Sequence, residues 1–180
     1  SLLDGIPGGK DLESWITSCY GPHDRTEFIP VIGLLTGRHS YGPRVDFPDG
    51  SSRVYSIMGV WAVQEDGLPR FPAATAATLV HEFSHSFVNP VVNRHLAALQ
   101  AAGERIMPRV AAVMRDQAYG SWEVVVCESC VRAATVRFLA ETQGEEAALA
   151  AVDREKAHGF QWMPGLADLF MGPDGPDGSV

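Results

Sequence analysis

The stretch Thr78-Leu79-Val80-His81-Glu82-Phe83-Ser84-His85-Ser86-Phe87-Val88-Asn89-Pro90 decides how the rest of the chain is read. It holds the pattern His-Glu-x-x-His. On a helix, this spacing sets His81 and His85 one turn apart on one face, where two imidazole nitrogens can converge on a metal ion. Glu82 is too close in sequence to be an easy third ligand, but it is suited to take a proton from a water held by the metal. Residues 73–80 favour helix, and Ala76, Leu79, Val80, Phe83 and Phe87 fall at helical spacing. The competing reading is a buried helix with two hydrogen-bonded histidines.

A catalytic zinc takes three protein ligands and keeps a fourth position for water. The pattern in which a Gly and a third His follow closely is absent, since Val91 stands where that His would be. His95 lies further on, past Asn89-Pro90, and is a minor candidate. Glu128 is the better one. It sits in an apolar segment with Val124, Val131 and Thr135 as helical neighbours, and burying a carboxylate there is costly unless a positive group meets it. Zinc is one such partner and Arg132, one turn on, is another. The bland alternative is an ordinary Glu128–Arg132 pair, worth about 0.2–0.5 kcal/mol if exposed. With Glu128 as ligand, Arg132 either orients it or contacts substrate. Glu123 in the first turn and Glu141 beside Arg137 read as surface residues.

Cys19, Cys127 and Cys130 are odd in number, and the last two lie close together in a helical pattern, so they do not form a disulfide framework. They read as small buried helix residues, with Cys127 and Cys130 as fallback metal donors.

At 180 residues and 46% hydrophobic, the chain is long enough for one sizeable core, so a single domain over 1–171 is expected, with 172–180 as a disordered tail. With 14 Lys plus Arg against 22 Asp plus Glu, an acidic balance speaks against a nucleic-acid partner. No run of about 18 apolar residues is present to span a membrane. No signal peptide is visible; a secreted or periplasmic location is expected ahead of a cytoplasmic one.

Outward from the central stretch, residues 11–20 read as a short helix with Leu12, Trp15, Ile16 and Cys19 on one face, ended by Gly21-Pro22. Residues 28–35 read as an edge or bulged strand because of Pro30 and Gly33. A Gly- and Pro-rich loop over 37–52 carries His39 and Tyr41. Residues 53–63 read as a strand apolar on both faces and hence covered on both sides. Because Pro disfavours helical geometry before it and suits the first turn of a helix, the metal helix is expected to end near Val88 and another to begin at Pro90. A further helical stretch over 105–118 is interrupted or begun near Pro108. Tyr119-Gly120-Ser121 turns into a long helix over 122–140 closed by Gly144, followed by helices over 145–157 and 163–171.

These residues resemble the zincin metallopeptidases, and within them the gluzincins, whose third zinc ligand is a Glu on a later helix. His-Glu-Phe-Ser-His-Ser-Phe-Val-Asn-Pro, with Tyr119-Gly120-Ser121-Trp122, Glu128, Val131-Arg132-Ala133 and Gly159-Phe160, is similar to the signature of an uncharacterised bacterial domain family of zincin type, over residues 53–171. The resemblance implies an α+β fold. A small twisted N-terminal sheet packs on the metal helix with its edge strand along the cleft, and a mainly helical C-terminal half brings Glu128 beneath the zinc. It also implies His81, His85 and Glu128 as ligands and Glu82 as general base. The chain departs from the broader gluzincins in lacking their Asn-Glu motif on the ligand helix.

The function expected is zinc-dependent hydrolysis of peptide bonds. Glu82 takes the proton of the attacking water and hands it to the leaving amine. Tyr119, at the turn before the ligand helix, is the first candidate for the oxyanion donor, with Tyr55 and Arg132 behind it. If 53–63 is the cleft edge, it takes an extended peptide by β-addition, so a peptide or protein is the expected partner. A zinc amidase or deformylase-like hydrolase, and a zincin-like binding module without turnover, are the alternatives. The intact Glu82 speaks against the last.

Overall fold

Phe28 stands edge-on against Phe83, with ring centroids 5.4 Å apart, and this contact seats a small sheet on a helix. The computed structural model describes residues 12–72 and 74–172. The Gly- and Pro-rich start and the tail over 173–180 lie outside them. The fold is α+β, a small mixed sheet with a mostly helical remainder, and the chain divides into two units, Ser1–Phe87 and Val88–Val180.

In the first unit, α1 (Leu12–Tyr20) buries Leu12, Trp15 and Ile16, the i, i+3, i+4 stripe of an amphipathic helix. Its last residue reaches α2 (Thr75–Asp116): the Tyr20 hydroxyl donates to Ser84 Oγ at 2.9 Å, and the Tyr20 ring stacks on Phe87. Three strands follow α1: β1 (Thr26–Ile32), β2 (Arg44–Asp46) and β3 (Ser52–Met58). Their order is β1-β3-β2, with β1 parallel and β2 antiparallel to β3.

Two expectations for the strand over 53–63 are corrected. First, it is the centre of the sheet and not its edge, because both of its ladders are already filled. Second, it is shorter and alternates: Ser52, Val54, Ser56 and Met58 are buried, whereas Arg53 is exposed and Tyr55 and Ile57 are half-buried. One face is covered fully. The strand ends at Met58, and at Gly59, the next residue, an added Cβ would lie 2.6 Å from the Arg38 carbonyl carbon, so this close backbone approach requires glycine.

The helix break at Pro90 is corrected as well. α2 runs through both Pro90 and Pro108 for 42 residues. Each proline forfeits one helical hydrogen bond and strains the preceding turn, a cost of about 3 kcal/mol. Stopping the helix would cost more, since it would orphan a set of terminal carbonyls and amides beside Val88 and Val92, which are buried on either side of Pro90.

The second unit is built around α3 (Trp122–Gln143). Ser121 caps it, its Oγ accepting the Val124 N–H at 3.3 Å, and Gly144 closes it at φ +90° with its N–H on the Ala140 carbonyl. α4 (Glu145–Ala157) and α5 (Met163–Met171) pack against α3. Val125, Val131, Val136, Phe138, Phe160 and Met163 form the apolar centre of this unit. Gly159, at φ +98° and within 2.7 Å of a Val113 methyl from its would-be Cβ, makes the turn that delivers Phe160. Among the described residues, no helix is long and apolar enough to cross a membrane.

Candidate metal centre

His81 and His85 share one face of α2, half-buried, with ring centroids 5.0 Å apart and planes at 81°. The i, i+4 spacing dictates this pairing, and the buried Leu79, Val80 and Phe83 fix which face is left for the imidazoles. Glu82 is buried, at 6% exposure. The sheet comes to it through a segment that carries no apolar signal. Tyr41 exchanges both backbone hydrogen bonds with Ile57, at 2.9 and 2.8 Å, and the Tyr55 N–H donates to the Pro43 carbonyl at 2.9 Å. This extends the β2 side of the sheet back to Tyr41. Between those residues, Gly42 lies so close to α2 that an added Cβ would stand 1.9 Å from the Glu82 carbonyl oxygen. The extended segment that reaches α2 at Glu82 is therefore the one over 41–46, which does so at Gly42, where glycine is required for the approach.

Tyr55 lies elsewhere. Register pairs Phe28 with Val54, so these two share the sheet face that meets Phe83, and Tyr55 projects from the opposite one. That removes Tyr55 as an oxyanion donor.

In the second unit, Glu128 is 8% exposed on α3. Arg132 Nε lies 3.3 Å from its carboxylate, a charge contact without the alignment of a hydrogen bond. The other two guanidinium nitrogens are engaged: Nη1 donates to the carboxylate of Glu155 on α4, and Nη2 donates to the Tyr119 hydroxyl at 2.9 Å. The guanidinium carbon stands 4.7 Å from the Phe160 ring centroid. Burial works against the Arg132 charge, but Glu155, Tyr119 and Glu128 together hold it charged. Burial first, and the Glu128 charge second, push the Tyr119 phenol up, so it keeps its proton.

One ligand atom from each of His81, His85 and Glu128 lies within 4.8 Å of the other two. Two imidazoles and a carboxylate are a donor set that could hold a metal ion and leave a coordination position open. His95, the minor candidate, is exposed on α2 and outside this group. So are the cysteines. Cys127 Sγ sits 3.8 Å from Asn93 Oδ1, and burial pushes its thiol up to about 11; burial also raises Cys130. Thiols that hold their protons in this way are poor ligands. Glu123 is exposed in the first turn of α3, and Arg137 pairs with Glu141 at 2.7 Å.

Sequence reasoning missed Gly42 and Glu155. The Gly-Pro dipeptide was a turn signal only, and Glu155 sat in a helix with a polar face where one carboxylate looks like another.

Residues 16–169 match the family described as a domain of unknown function (DUF4932). No curated protein and no solved structure matches the chain.

Proposed function

We propose that this chain, which belongs to the family described as a domain of unknown function (DUF4932), is a zinc-dependent metallopeptidase with a zincin-like fold of gluzincin type. The observation that carries the reading is the convergence of His81, His85 and Glu128. A His₂Glu set with a general-base carboxylate next to the first histidine suits metal-assisted hydrolysis, and the burial of Glu128 gives its charge a reason to meet a cation. When bound, zinc would supply a water acidified to a pKa of about 7 and a Lewis acid for the scissile carbonyl.

Each of the chain's own residues then has a task. His81, His85 and Glu128 hold the ion. Glu82 accepts the proton of the attacking water and returns it to the leaving amine. Tyr119, protonated and held by Arg132, donates to the oxygen on which negative charge develops. An extended peptide would pair with the outer side of 41–46, which replaces β3 as the segment beside Glu82.

The deciding experiment combines zinc stoichiometry with cleavage of a peptide library, with and without a chelator. About one zinc per chain and chelator-sensitive cleavage are expected. Zinc far below one per chain overturns the reading, and intact peptides alongside hydrolysed small amides would replace it with an amidase.

A further inference from the structure

We infer that Glu155 is a positioning residue for the metal centre: through Arg132 it fixes the pose of both Glu128 and Tyr119. The inference rests on the metal-centre reading above and concerns only side chains of the second unit.

A guanidinium is a planar fork with donors along three edges. In Arg132 every edge is assigned. Nη1 goes to Glu155, Nη2 to Tyr119, and Nε faces Glu128 at 3.3 Å. One face is covered by Phe160 at 4.7 Å. The side chains of Arg132 and Glu155 are 14% and 18% exposed, so neither is a solvated surface charge. With Nη1 and Nη2 each hydrogen-bonded within the protein and Nε buried against Glu128, the guanidinium is not presented as a fork for a substrate carboxylate. Of the two roles open to Arg132, orienting Glu128 is the one its geometry serves.

The partition of its charge explains why Glu155 matters. Glu155 makes the closer, aligned contact and Glu128 the looser one, so the i, i+4 neighbour is not the main partner of Arg132. Two carboxylates, Glu128 buried and Glu155 half-buried, share one guanidinium, so Arg132 does not spend its whole charge on Glu128. Remove the Glu155 charge, and the full attraction of Arg132 falls on Glu128, drawing its carboxylate away from the histidines and loosening the hold on Tyr119. Outer residues that orient a metal ligand typically govern affinity by about 10–100-fold.

The test uses the full chain and zinc itself. For Glu155→Gln, titration against a chromogenic chelator is expected to show zinc held about 10–100-fold more weakly, and the visible spectrum of the cobalt-loaded protein is expected to change. Asp153→Asn, which removes an exposed pair with Lys156 on the same helix, should change neither. Arg132→Lys keeps the charge but loses the fork, and is expected to weaken zinc as Glu155→Gln does; it serves as the second variant should the first not fold. A purely structural role for Glu155 would lower the unfolding midpoint of the metal-free protein while leaving zinc affinity and the cobalt spectrum of the folded protein unchanged. That outcome overturns the inference alone. Absence of zinc binding by the unaltered chain overturns the metal centre and this inference together.

Discussion

Arg132 donates from Nη2 to the hydroxyl oxygen of Tyr119 across 2.9 Å, so the phenol accepts from one side while its own proton is directed at the Glu128 carboxylate, and it would have to turn from there to a developing oxyanion. Tyr119→Phe removes that proton together with the hydroxyl's contacts to Arg132 and Glu128. We expect kcat to fall by about 10²–10³, the range for losing one oxyanion donor, with zinc content unchanged. Steady-state kinetics with elemental analysis of the same preparation would check this, and a variant that loses zinc would recast Tyr119 as a support for Glu128.

Glu82→Gln preserves shape and hydrogen-bonding length but cannot accept a proton. Peptide hydrolysis should drop by at least about 10²–10⁴, the usual contribution of a general base, while zinc stays near one per chain. Turnover at the original rate would remove Glu82 from the mechanism.

Gly42→Ala places a methyl where the Glu82 carbonyl already stands, 1.9 Å from the ideal Cβ position. Neither side can yield cheaply, because both are backbone: α2 on one side and a segment laddered to β3 on the other. A loss of about 1–3 kcal/mol or more is expected in urea unfolding, together with reduced hydrolysis, since the segment carrying the methyl must move away from Glu82.

Pro90→Ala tests the opposite sign. The helix continues on both sides of Pro90, so an alanine restores a hydrogen bond and relieves the ring clash without asking for a new conformation. Stability should rise by up to about 3 kcal/mol, read as a higher urea midpoint at unchanged slope. A lower midpoint would mean that a bend at Pro90 is needed for packing.

The parts of this molecule legible in its sequence are those governed by near neighbours. His81, Glu82 and His85 are fixed by spacing on a helix, and the Ser121 cap and the Gly144 stop of α3 follow from local backbone chemistry. Glu128 was legible because a carboxylate among valines needs a reason. What failed depends on distant partners. Pro90 was read by a local rule that buried Val88 and Val92 override. β2 has only three residues, all exposed, so no alternation marked it, and without it β3 looked like an edge. Glu155 acquires its meaning from Arg132, 23 residues away on another helix.

The parallel register of β1 on β3 has a kinetic consequence. Every pair in that ladder, from Thr26–Ser52 to Ile32–Met58, joins residues 26 apart, so a loop must be closed before the first of these bonds forms. The first contacts of α3 with α4, beside the turn at Gly144, ask for far less. Contacts remote along the chain form slowly and those between successive helices quickly, so the sheet is expected to be the late event in folding. The strands that carry Gly42 to Glu82 would then be the last part of the candidate site to arrive.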